Sequence, residues 1–123
     1  MEIMINEHKK IQAIQDEFSA NFPYLRLEVY ANVKQADGTI GKRVVHDTGK
    51  TLAECRTVHG KGRISISPGM TVNNLERNFR DVFGVKVQVL RKSGRAWLET
   101  TLTDGWTLEE QNRQGEELSR PAA

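Results

Sequence analysis

RISISPGMTVNNLERNFRDVFGVKVQVLRKSGRAWLETTLT, residues 63–103, reads as strand, helix, strand, tight turn and strand. At its centre, Val72, Leu75, Phe79, Val82 and Phe83 recur at three- and four-residue spacing, which predicts a helix over 71–83 with one apolar face. Thr71 caps its start, because a hydroxyl there accepts from an orphan backbone N–H, and Gly84 supplies the left-handed residue that ends it. On either side the period changes to two. Ile64 and Ile66 alternate with serines before Pro68-Gly69; Val85, Val87 and Val89 alternate after the helix; and Ala96, Leu98, Thr100 and Leu102 alternate after the Ser93-Gly94 turn.

Working outward, residues 6–21 read as a first helix with Ile11, Ile14 and Phe18 on one face and Met4 one turn back, stopped by Pro23. Leu25, Leu27, Val29, Ala31 and Val33 then alternate with polar residues as a half-buried strand. Asp37-Gly38 turns it into a return strand over 40–46, since both residue types tolerate positive φ. Residues 48–57 fit either a strand or one helical turn begun by the capping box Thr51-Leu52-Ala53-Glu54. Asp104-Gly105 ends the last strand, and Thr107 with Glu110 caps a short, polar final helix containing Gly115. Gly49-Lys50-Thr51-Leu52, Gly69-Met70-Thr71-Val72 and Gly105-Trp106-Thr107-Leu108 share one helix-start pattern, at intervals too uneven for a repeat array.

The order α-β-β-β-α-β-β-α predicts an α+β fold: a mixed, mainly antiparallel sheet of about four to five strands with helices on one face. The strands near Ile64 and Val85 are expected to run parallel through a right-handed crossover. A single domain over 1–118 with a frayed tail at 119–123 is expected from a chain of 123 residues. The runs at 69–79, 83–89, 91–97 and 106–112 resemble stretches of small uncharacterised bacterial α+β proteins. That resemblance covers roughly the second half of the chain and implies a fold, with no catalytic residue to carry over.

Eighteen Lys and Arg against 16 Asp and Glu leave a net charge of +2, and each half of the chain holds nine basic and eight acidic side chains. No basic domain or tail makes an overall case for nucleic acid. One cysteine excludes an internal disulfide, and the N-terminal apolar run is too short for an export signal or a membrane span, so a cytoplasmic protein is expected, and a bacterial origin fits.

Reaction chemistry does not assemble. Gly49-Lys50-Thr51 matches the tail of a phosphate loop but lacks the glycine required where Val44 stands, so a capped turn explains it better. Cys55, four residues before His59 and downstream of His46, suggests an activated thiolate, but a buried structural cysteine is the simpler reading. His8, His46 and His59 lack the paired spacing of a zinc site. No catalytic residue, cofactor or metal is expected, and an enzyme is the third choice.

The leads concern binding. Glu109, Glu110, Glu116 and Glu117 of the final helix face the opposite charge of Arg91, Lys92 and Arg95, while Leu108 and Leu118 are its clear apolar anchors. The rings of Trp97 and Trp106 fill the gap between helix and hairpin, an expected surface for an unidentified protein partner or a weak homodimer. The alternative is a nucleic-acid-binding accessory protein whose glycine-flanked cations Lys61, Arg63, Lys92 and Arg95 gather on one side, with Trp97 or Tyr30 stacking a base.

Overall fold

The computed structural model describes residues 3–55 and 62–120; Lys61, His59 and the end of the tail lie outside them. Its elements are β1 (Ile3–Asn6), α1 (Ile11–Asn21), β2 (Leu25–Lys34), β3 (Ile40–Val44), α2 (Leu52–Cys55), β4 (Arg63–Ile66), α3 (Val72–Asn78), β5 (Lys86–Ser93), β6 (Ala96–Glu99) and α4 (Leu108–Ser119). The fold is α+β. Strands β3-β2-β5-β6 form one sheet in that order, and β1-β4 form a second.

Every strand pair among the described residues is antiparallel, which corrects the expected mixed sheet. The crossover rule holds for two strands of one sheet. Here β4 pairs with β1 in the small sheet, whereas β5 lies between β2 and β6 in the large one. The partner of β4 is a strand that the helical reading of the N-terminus hid. Ile3 and Ile5 are buried opposite Ile66 and Ile64, and Met4 points outward between them, so the first helix begins at Ile11.

The central helix forms as its spacing demands and then loosens. Thr71 Oγ1 accepts from Asn74 N at 3.1 Å, α3 runs to Asn78, and Phe79–Phe83 continue as one π-helical turn closed by Gly84 at φ 66. Val72, Leu75, Phe79 and Phe83 are fully buried, with Val82 half-buried against them. They join Ile11, Ile14 and Phe18 of α1 and the inward row Leu25, Leu27, Val29, Val87 and Val89 of the sheet in a single core. Gly38 (φ 86) and Gly94 (φ 61) make the two hairpin turns.

The shared glycine-threonine pattern has a structural purpose. Thr71 and Thr107 form an antiparallel bridge in which Val72 N donates to Trp106 O and Leu108 N donates to Met70 O, joining the starts of α3 and α4. The third copy does the same for α1 and α2: Lys10 bridges Thr51, Ile11 N donates to Lys50 O, and Leu52 N donates to Lys9 O. Helix N-termini have spare N–H groups, and each pair satisfies some of the other's. Gly49-Lys50-Thr51 is therefore a helix start, with Glu54 N donating to Thr51 Oγ1, and residues 52–55 form one helical turn.

The last hairpin departs from expectation. Strand β6 stops at Glu99, residues Thr101–Thr103 form a 3-10 turn, and Leu102 is fully exposed. Thr100 turns inward instead, its hydroxyl donating to Val89 O at 2.8 Å. Leu118 is also exposed, and α4 is anchored by Leu108, Gln111 and Gly115. Gln111 Nε2 donates to Thr103 O and Oγ1, both at 2.8 Å, and Tyr24 N donates to Asn112 Oδ1. Gly115 lets the helix approach the Tyr24 backbone.

Candidate anion-binding site

Side-chain alternation leaves the second face of the large sheet outside the core. The register places Arg26, Glu28 and Tyr30 of β2 on it, with Lys42 and Val44 of β3, Lys86, Gln88, Leu90 and Lys92 of β5, and Trp97 and Glu99 of β6. Arg26, Lys42, Lys86, Trp97 and Glu99 are exposed. Helix side chains close the strand edges that β3 and β6 are too short to cover. Gln15 Nε2 donates to Leu27 O at 2.9 Å on one side, and Glu76 Oε2 accepts from Val89 N at 3.4 Å on the other.

Beside that second edge lies a cleft of about 380 Å³. One wall is the polar stripe of α3 and its continuation, Asn73, Glu76, Arg77 and Arg80, which recur at the same three- and four-residue spacing as the buried face. The other wall is Gly84 to Gln88, and Lys42 reaches in from β3. Val89 directs its N–H and C=O away from β2, to Glu76 and to Thr100. Strand alternation points those of Val87, which lines the cleft, the same way.

The charge in the cleft is mainly positive. Arg77 has no ion pair among the described residues, and Arg80 meets Asp81 at 3.5 Å in solvent, where such a pair holds little energy. The Lys86 ammonium stands 5.3 Å from the centre of the Tyr30 ring. Glu76 is the one carboxylate lining the cleft among the described residues; burial raises its pKa and Asp104 adds to the rise, against the Val89 N–H and Lys86. Burial and then Glu28 hold the Tyr30 phenol above its ordinary value, so it stays neutral. Such a lining presents fixed donors and positive charge, with an amide or two to orient a ligand.

The residues singled out in the sequence divide between the two faces. Arg91 belongs to the helix side: one guanidinium nitrogen donates to Gln111 Oε1 at 3.0 Å, and the group lies 5.7 Å from the centre of the Trp106 ring. Lys92 and Trp97 are cross-strand partners on the open face, with Arg95 exposed in the turn. Trp97 and Trp106, at 36% and 39% exposure, are both under-buried but do not form one patch. The glutamates of α4 likewise make no ion pair with Arg91, Lys92 or Arg95 among the described residues; Glu116 pairs with Arg120 at 3.4 Å. Arg63 follows Gly62, which abuts Val82 near the start of β5, so it stands at the opposite end of that strand from Lys92 and Arg95.

Sequence reasoning missed Lys42, Arg77 and Arg80 as members of a site. The signal for the two arginines was present as the polar complement of the apolar helix face; nothing local in β3 points Lys42 toward them. Cys55 is buried, which pushes its thiol up and keeps it protonated, while His8 and His46 are exposed. No group of three potential metal ligands occurs among the described residues, and none of their helices is long and apolar enough to cross a membrane. No protein-family model, curated protein or solved structure matches this chain.

Proposed function

We propose that the protein is a non-catalytic binding domain that engages an anionic partner at the cleft between α3 and β5. The observation that carries this reading is the approach of Lys42, Arg77, Arg80 and Lys86 to one cleft from separate elements of a chain with a net charge of only +2. Cations drawn from β3, α3 and β5 make a local field that the overall composition hides. A binding role also fits the lining, where the carboxylate is occupied by a backbone N–H and, among the described residues, no nucleophile sits beside a base. The protein-partner reading from the final helix has less support, because Arg91 and Trp106 already contact Gln111 and each other within the molecule.

Calorimetric titration with inorganic tripolyphosphate at low salt tests the proposal. Binding should weaken by about tenfold or more on raising the salt severalfold, and the charge reversals Arg77→Glu and Arg80→Glu should abolish it. Absence of binding at low salt, or binding indifferent to both reversals, overturns it.

A further inference from the structure

We propose that the anionic partner is a single-stranded nucleic acid lying along β5 across the open sheet face, with phosphates in the cleft and a base stacked on Trp97. This rests on the cleft reading above and extends it to residues that the cleft does not contain. Lys86 and Lys92 share the open face six residues apart, a separation of about 20 Å along the strand. That span suits a few nucleotides of an extended strand.

The two ends of this path differ in chemistry. At the Lys86 end, Arg77, Arg80 and Lys42 supply positive charge with little base-reading capacity, as backbone phosphates require. At the other end, Trp97 presents a ring that the core does not cover, directly across from Lys92 and close to the exposed Arg95. An aromatic beside cations is the arrangement that accepts a base on its face and the adjoining phosphate alongside. Between the ends stand the partly exposed Gln88 and the buried Leu90, a floor without charge.

Glu28 and Glu99 flank that floor, one on β2 beside Gln88 and one on β6 beside Leu90. They repel phosphates on either side and confine the backbone to the line of β5. The same carboxylates disfavour an acidic peptide, whose side chains project to both sides of an extended backbone.

Fluorescence anisotropy with labelled single strands of about ten nucleotides, DNA and RNA, tests the proposal, with tripolyphosphate, polyglutamate and the matching duplex as competitors. Single strands should bind more tightly than any competitor, and Trp97→Ala should weaken them by about tenfold or more while Trp97→Phe retains most of the affinity. Because the chain has two tryptophans, Trp106→Phe leaves Trp97 as the sole tryptophan, and its fluorescence, excited selectively over tyrosine, should be quenched on binding. Circular dichroism of each variant separates loss of binding from loss of fold, and the Phe variant carries the test if the Ala variant unfolds. If tripolyphosphate binds but oligonucleotides bind no tighter and leave Trp97 emission unchanged, the nucleic-acid proposal fails and the anion cleft stands. Tighter binding of polyglutamate or duplex also overturns it, and binding of none of these ligands removes both proposals.

Discussion

Thr71 and Thr107, the caps of α3 and α4, stand opposite one another, and the residues beside them exchange two backbone hydrogen bonds of 3.0 and 2.9 Å. The threonine hydroxyls face away from this exchange, each accepting from a backbone N–H three residues on at 3.1 Å. Thr71→Ala and Thr107→Ala should therefore each cost about 0.5–2 kcal/mol and leave the bridge intact. Urea denaturation of the single and double variants should return nearly additive losses, because the hydroxyls serve different helices. Strong non-additivity would show that the caps and the bridge act as one unit.

Gly115 is required by contact. A methyl group on it would lie 2.8 Å from Tyr24 Cβ, 3.1 Å from Tyr24 O and 3.2 Å from Arg91 Cγ. Alanine is the better helix former by about 1 kcal/mol, so Gly115→Ala in a free helix would stabilise. Here overpacking against backbone should win, with a net loss of about 1–3 kcal/mol in chemical denaturation. A gain in stability would mean that α4 is not seated on β2 and β5 as described.

Gln111 is fully buried and uses its whole amide, donating twice to Thr103 and accepting from Arg91. Leucine would fill the same space yet leave the Thr103 carbonyl and a guanidinium already short of one partner at Nε without theirs. Gln111→Leu should destabilise by about 1–3 kcal/mol despite its greater hydrophobicity. A double-mutant cycle with Arg91→Met should show coupling of roughly 0.5–3 kcal/mol, whereas a value near zero would place the anchorage of α4 elsewhere.

Phe79 opens the π-helical turn and is fully buried, its ring centre 5.8 Å from that of Phe83. Phe79→Ala should cost about 3–5 kcal/mol, while Val82→Ala, one turn on and half-buried, should cost clearly less. A Phe79→Ala loss below about 1 kcal/mol in thermal or chemical unfolding would contradict the core as drawn.

Glu76 provides a pH signature. Its folded pKa is raised above the ordinary carboxylate value, chiefly by burial, so the folded protein binds this proton more tightly than the unfolded chain does. Stability from this group is therefore present below the unfolded pKa and is lost as pH rises through the folded one. Glu76→Gln keeps an oxygen for the Val89 N–H and removes the charge. The variant should match or exceed the wild type in stability near pH ~7, with the difference shrinking toward pH ~4, and it should bind tripolyphosphate more tightly. A variant less stable at neutral pH, with unchanged anion affinity, would contradict this account of the cleft.

Much of the fold is legible in local patterns. The buried face of residues 72–83, the caps Thr51, Thr71 and Thr107, and the turns at Gly38, Gly84 and Gly94 follow from periodicity and from conformations that few residue types tolerate. Those signals concern neighbours within a few positions, so the chain alone determined most of the elements and the α+β class. It also marked Lys92 and Trp97 as polar or aromatic positions on alternating strands. The tertiary structure decided which strands pair. Ile3-Met4-Ile5 is too short to declare a strand until Ile64 and Ile66 bury the same two residues from across the small sheet. It also decided that a helix rich in glutamate is held by a buried glutamine and a glycine, and that Lys42 joins Arg77 and Arg80 across the sheet. Sequence spacing reports the face on which a side chain lies; only the packing of distant segments determines what that face meets.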